Sequence, residues 1–98
     1  MSKTIKEIKN TILELPEGDN LNFDFNGKEF KINCSRFENG NPIWGVYKRI
    51  GFGLEGMNVN KIGPTCITLY TYDMLGNKTT GKIRYDQMEN IEIITKNK

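Results

Sequence analysis

Leu21-Asn22-Phe23-Asp24-Phe25-Asn26-Gly27-Lys28-Glu29-Phe30-Lys31-Ile32-Asn33-Cys34 is the stretch that decides how this chain folds. Leu21, Phe23 and Phe25 alternate with polar residues, and after Asn26-Gly27 the alternation resumes at Phe30, Ile32 and Cys34. A period of two marks a strand with one buried face. Asn-Gly supplies the positive φ angles of a type I′ turn, whose twist matches that of the strands it joins. With those two residues as the loop, Phe23 lies opposite Phe30 and Leu21 opposite Ile32, so the apolar side chains share one face. The same register sets Asp24 opposite Glu29, a like-charge pair that belongs on the solvent side.

Upstream of this hairpin, Ile5, Ile8, Ile12 and Leu15 recur at helical spacing, and Thr4-Ile5-Lys6-Glu7 fits a capping box. The spacing predicts a helix from Thr4 to Leu15, ended by Pro16 and followed by a Glu17-Gly18-Asp19 exit turn. Downstream, Glu38-Asn39-Gly40-Asn41-Pro42 reads as a loop and Ile43 to Ile50 as a strand. Gly51 to Gly56 reads as a glycine-rich connector, and Met57 to Ile62 as a short strand closed by Gly63-Pro64. Cys66 to Tyr72, rich in β-branched and aromatic residues, is a strong strand. Asp73 to Lys78 is a turn, Gly81 to Asp86 and Ile91 to Thr95 are the last strands, and Lys96-Asn97-Lys98 is expected to fray. The expected architecture is one α+β domain over residues 1–98. An N-terminal amphipathic helix packs on a curved, mostly antiparallel sheet or small β-barrel of about six strands.

Composition narrows the chemistry. Hydrophobic residues make up 37% and charged residues 27% of the chain, a globular balance. A net charge of +2 is a weaker footprint than a dedicated duplex-DNA binder shows. The sequence has no histidine, which excludes His-based triads, Cys–His dyads and His-ligated zinc within the chain. Its two cysteines, Cys34 and Cys66, do not form a Cys-x-x-Cys pair and cannot complete a zinc site alone. They read as small core residues with reduced thiols. No apolar h-region follows the first residues and no run approaches a membrane span, so the expected location is cytoplasmic. The abundance of Asn, Lys and Ile suggests an AT-rich coding sequence of the kind found in low-GC bacteria, their phages and their plasmids.

Three short motifs touch on chemistry. Gly51-Phe52-Gly53-Leu54-Glu55-Gly56 matches G-x-G-x-x-G, but the residues after it lack helical periodicity, and a dinucleotide site needs a helix there. The same region, from Lys48 to Leu54, resembles the core signature of RNA-recognition and cold-shock domains. Only Gly51-Phe52-Gly53 fits, with the basic residue displaced and Leu54 where a second aromatic belongs. Gly81 to Asn90 is similar to the first signature of Sm-like barrels, one residue short before Tyr85 and without the second signature. Each likeness spans under about a dozen residues, too few to assign a family.

The candidate binding surface is Tyr70, Tyr72, Lys82 and Arg84. If Ile67 and Leu69 face the core, the two tyrosines point away from it. An odd-length turn after Tyr72 then turns Ile83 and Tyr85 inward and brings Lys82 and Arg84 to the tyrosine face. Trp44, Lys48, Arg49 and Phe52 complete the set of residues expected to bind. No carboxylate pair, activated nucleophile or metal-ligand spacing stands out, so no enzyme, cofactor or metal is expected. The first reading is a non-catalytic module that binds a protein partner, as an inhibitor or accessory factor of phage or plasmid origin. The second is a small nucleic-acid-binding barrel that uses the aromatic and basic face. A third, minor reading is nucleotide or phosphate capture by backbone amides of Gly51 to Gly56.

Overall fold

The computed structural model describes residues 4–95. It contains a helix α1 (Ile5–Leu13), strands β1 (Asn20–Phe25), β2 (Lys28–Glu38), β3 (Asn41–Ile50), β4 (Gly53–Ile62), β5 (Cys66–Tyr72), β6 (Lys78–Arg84) and β7 (Glu89–Ile94), and a 3₁₀ turn at Tyr85–Gln87. All strand pairs are antiparallel, in one seven-stranded sheet of order β6-β5-β4-β3-β2-β1-β7. The fold is therefore a helix with an antiparallel sheet, as expected, but with seven strands rather than six. The expectation for Lys96-Asn97-Lys98 lies outside the described residues.

The opening hairpin forms in the expected register, with Phe23 opposite Phe30, Leu21 opposite Ile32 and Asp24 opposite Glu29. Asn26 and Gly27 take φ of 53° and 75°, as a type I′ turn requires. Phe23 and Phe30 stack with centroids 5.6 Å apart, and Phe25 meets Phe30 edge-on at 5.8 Å. Thr4 caps α1 through the reciprocal box: its backbone N–H donates to Glu7 at 2.8 Å, and the Glu7 N–H donates to the Thr4 hydroxyl at 3.1 Å. The helix is shorter than expected because its C-cap is Glu14. Ile8, Ile12 and Leu15 are nevertheless buried in the same cluster as the sheet's inner side chains.

Two expected loops are tighter than the sequence suggested. The loop from Glu38 to Pro42 is a second Asn-Gly hairpin, with only Asn39 and Gly40 between β2 and β3. Asn and Pro depress strand propensity around it, and cross-strand pairing of Phe37 with Pro42 overrides that preference. The connector from Gly51 to Gly56 is likewise a turn at Gly51-Phe52 followed by strand. Gly51 has φ of 56°, the requirement for the first position of a type II′ turn.

The sheet cannot be flat. A flat seven-stranded sheet is about 29 Å across, at about 4.8 Å per strand. Yet β6 ends at Arg84 and β7 begins at Glu89, and those strands are the two outermost. A five-step link reaches at most about 18 Å. The sheet therefore curls, and the Tyr85–Gln87 turn bridges its two edges with α1 packed against it. The curl makes an inner face of Leu21, Phe23, Ile32, Val46, Ile67 and Ile83, all buried. Tyr85 is fully buried in this closure and donates its hydroxyl to the Gly63 carbonyl at 2.8 Å. Among the described residues, no helix is long and apolar enough to cross a membrane.

Candidate functional site

The five residues from Asp73 to Asn77 connect β5 to β6, an odd-length turn that preserves parity across the pair. Asp73 organises it by accepting the backbone N–H groups of Leu75 at 2.9 Å and Asn77 at 2.8 Å. These bonds, led by that from Asn77, hold the Asp73 carboxyl below its ordinary pKa. The resulting register sets Tyr72 opposite Lys78, Tyr70 opposite Thr80, Thr68 opposite Lys82 and Cys66 opposite Arg84. Ile67 pairs with Ile83 on the inner face, so Tyr70, Tyr72, Lys82 and Arg84 share the outer one, as the alternation predicts.

On that outer face Tyr70 and Tyr72 meet edge-to-face, with centroids 5.8 Å apart. The Lys78 ammonium lies 5.1 Å from the Tyr70 ring centre, within cation–π range. Tyr72 is exposed and Tyr70 half-buried. Across β5, Lys61 of β4 also pairs with Thr68, so Lys61, Thr68 and Lys82 form one row over three strands. Asn60 donates to the Thr68 hydroxyl at 3.5 Å and Asn58 to the Tyr70 carbonyl at 3.4 Å. None of Lys61, Lys78 and Lys82 forms an ion pair among the described residues.

Arg84 differs from these lysines. Its guanidinium donates twice to Asp86, at 3.1 and 3.0 Å. That bidentate contact raises the Arg84 pKa and lowers that of Asp86. Arg84 thus closes the lower end of the face with its charge already matched.

The remaining expected site residues do not join this face. Lys48 is opposite Phe30 and Glu55 on the inner side of the sheet, with its ammonium 3.9 Å from the Glu55 carboxylate. Trp44 is opposite Cys34, also on the inner side, half-buried and packed against the core. Arg49 is on the outer face but near β2, where it donates to Glu29 at 2.9 Å. Phe52 is at the tip of the β3–β4 turn, 108% exposed. The set therefore splits into a β5–β6 face, an isolated hairpin tip, Arg49 on the outer face beside β2, and two inward side chains, Trp44 and Lys48.

Sequence reasoning missed Lys61 and Lys78. The alternation after the turn would have found Lys78. Lys61 was hidden by a bulge at Asn60, which shifts the β4 register between Val59 and Lys61. It also missed how apolar the hairpin tips are: Met74 is 102% and Leu75 87% exposed, beside Tyr72. The G-x-G-x-x-G stretch runs through the turn into β4 with its backbone paired to β3, and no helix follows it. Among the described residues, no group of three or more Cys, Asp or Glu side chains is placed to hold a metal ion. No protein-family model matches the chain, and neither a curated protein nor a solved structure is similar to it.

Proposed function

We propose that the protein is a non-catalytic binding module whose β4–β6 outer face takes single-stranded nucleic acid. One observation carries this reading: the Tyr70–Tyr72 pair is surrounded by Lys61, Lys78 and Lys82, none of them matched by a carboxylate. Single-strand binders combine rings that stack bases with cations that track phosphates. Lys78 covers the Tyr70 ring in the free protein, and a stacked base would release it to a phosphate. A curled, barrel-like sheet suits this use because it leaves the outer face of β5 and β6 open to an extended strand.

The test is titration of labelled single-stranded RNA, single-stranded DNA and duplex DNA at two salt concentrations. With three lysines on phosphates, affinity for a single strand should fall about 20-fold between about 50 and 200 mM salt. Lys61→Ala with Lys82→Ala should lower the salt slope by about 1.4, and Tyr72→Ala should cost about 1–3 kcal/mol without changing it. No binding by the folded protein, or binding that ignores salt, would end this reading.

A protein partner is the second reading, favoured by the full exposure of Phe52 and Met74 and the exposure of Leu75 beside Met74. Large apolar side chains on hairpin tips are suited to insertion into a partner's pocket. An inhibitor or accessory factor of phage or plasmid origin would fit that use, as would a cytoplasmic location. Under this reading Phe52→Ser abolishes partner binding, and the lysine substitutions leave it intact.

A further inference from the structure

The curled sheet leaves two strand edges without a partner. Among the described residues, β6 pairs only with β5 and β7 only with β1. The Tyr85–Gln87 turn joins these two strands, yet they do not run side by side, so neither covers the other's edge. The edges differ in charge. On the outer face β6 carries Lys78, Lys82 and Arg84, and β7 carries Glu89 and Glu92, all of them exposed. Lys82 and Glu92 form no ion pair among the described residues. The inner face is interrupted at both edges as well. Ile93 is opposite Leu21 and so shares the core-facing side, but it is 47% exposed, with no strand beyond it. Gly81 is opposite Leu69 on the same side and offers no side chain; a Cβ built there would meet nothing within 4 Å.

An unpaired edge is a template for another strand, and charge decides which strand is accepted. Two β6 edges would gather Lys78, Lys82 and Arg84 of both copies, and two β7 edges would gather Glu89 and Glu92 of both. Like charges facing each other across a strand pair are destabilising. The unlike pairing has a register that satisfies charge and shape together. With β6 antiparallel to β7 of a second copy and Lys82 opposite its Glu92, Gly81 falls opposite its Ile93 and Thr80 opposite its Ile94. The ion pair is then on the outer face, and Ile93 of the second copy covers the inner-face gap at Gly81. We infer that the chain associates with itself head to tail, by antiparallel addition of β6 of one copy to β7 of the next. In strand addition the main-chain hydrogen bonds supply the attraction and the alternate side chains supply the specificity. Because the two contacting patches differ, each copy can engage two neighbours, so association continues past the dimer unless it closes into a ring.

The experiment is sedimentation velocity of the full chain, freed of nucleic acid, over about 10–500 µM at low ionic strength, where an exposed ion pair is least screened. The wild type should sediment as species of two or more chains whose size grows with concentration. Lys82→Glu and Glu92→Lys should each weaken association about fivefold or more, by setting like charges opposite each other. Each changes an exposed side chain, so the circular dichroism of both variants should match that of the wild type. An equimolar mixture of the two variants should recover association, because each then offers the other an edge of opposite charge. The inference is overturned if the wild type stays a monomer throughout, or if either folded variant associates as the wild type does. It is also overturned if the mixture of folded variants associates no better than its components.

Discussion

Removing one oxygen atom, by Tyr85→Phe, should make the two proteins exchange their order of stability as pH rises. The Tyr85 hydroxyl is buried where the sheet edges meet and donates to the Gly63 carbonyl at 2.8 Å. Its loss leaves that carbonyl without this donor, at a cost of about 1.5 kcal/mol near neutral pH. For a chain of 98 residues the unfolding entropy is about 0.2 kcal/mol/K, so Tm should fall by about 7 °C. Burial also pushes the Tyr85 phenol up to about 12, with the charge of Cys66 adding to the effect. An unfolded tyrosine ionises near 10. Between those values the unfolded chain has lost a proton that the folded chain retains. The wild-type advantage is therefore complete below about pH 10 and declines by about 1.4 kcal/mol per pH unit up to about pH 12. The two stabilities should cross near about pH 11, with the phenylalanine variant the more stable above it. Urea unfolding of both proteins at several pH values checks this, because lysine titration is common to both and cancels in the difference. Parallel stability profiles from neutral pH to about 11.5 would show that burial does not hold the phenol neutral, and would refute the reasoning.

Thr4→Ala removes one half of the capping box and should destabilise the protein by about 1 kcal/mol, read from the urea midpoint with an unchanged slope. Gly63→Ala would bring a Cβ to 2.9 Å from the Cys66 carbonyl oxygen, a backbone atom that cannot move aside cheaply. It should cost about 1–3 kcal/mol in the same assay, more than an exposed Gly81→Ala. Asp86 should titrate below the ordinary carboxylate range by carbon-detected NMR and return to it in Arg84→Ala, because the bidentate guanidinium is the largest cause of its shift.

The parts of the fold legible in the sequence were those where one physical signal had no competitor. Asn26-Gly27 between two alternating runs specified turn type, register and buried face together. Thr4 and Glu7 marked the start of the helix in the same way. Asn39-Gly40 carried the same turn chemistry and was obscured by its neighbours, since Pro42 and the flanking asparagines read as breakers until β2 is present to pair with them. Gly53 and Gly56 read as loop because glycine has poor strand propensity. Tyr47 lying across Gly56 is a tertiary reason for a glycine there, and no local rule contains it. For the surface, parity across an odd-length turn placed Tyr70, Tyr72, Lys82 and Arg84 together correctly. Lys48 and Arg49 were taken as one basic pair, although adjacent strand residues point to opposite faces. The bulge at Asn60 then carried Lys61 to the tyrosine face, a shift that alternation alone would not give.

The pairing of β7 with β1 also has a meaning for the order of events during synthesis. Asn20 pairs with Ile94 and Asp24 with Glu89, separations of 94 − 20 = 74 and 89 − 24 = 65 residues. The hairpin partners within β1–β2 and β3–β4 are near neighbours by comparison. On the ribosome the meander can therefore zip progressively while one edge of β1 waits for a strand that is made 65 to 74 residues after it. Until then, the peptide groups on that edge have no ladder partner and can template a foreign strand. Loop-closure entropy makes this last pairing the slow one. Its arrival also fixes the second outermost strand only four residues beyond β6, so the segment that buries Tyr85 is anchored at both ends late rather than growing gradually from the first hairpin.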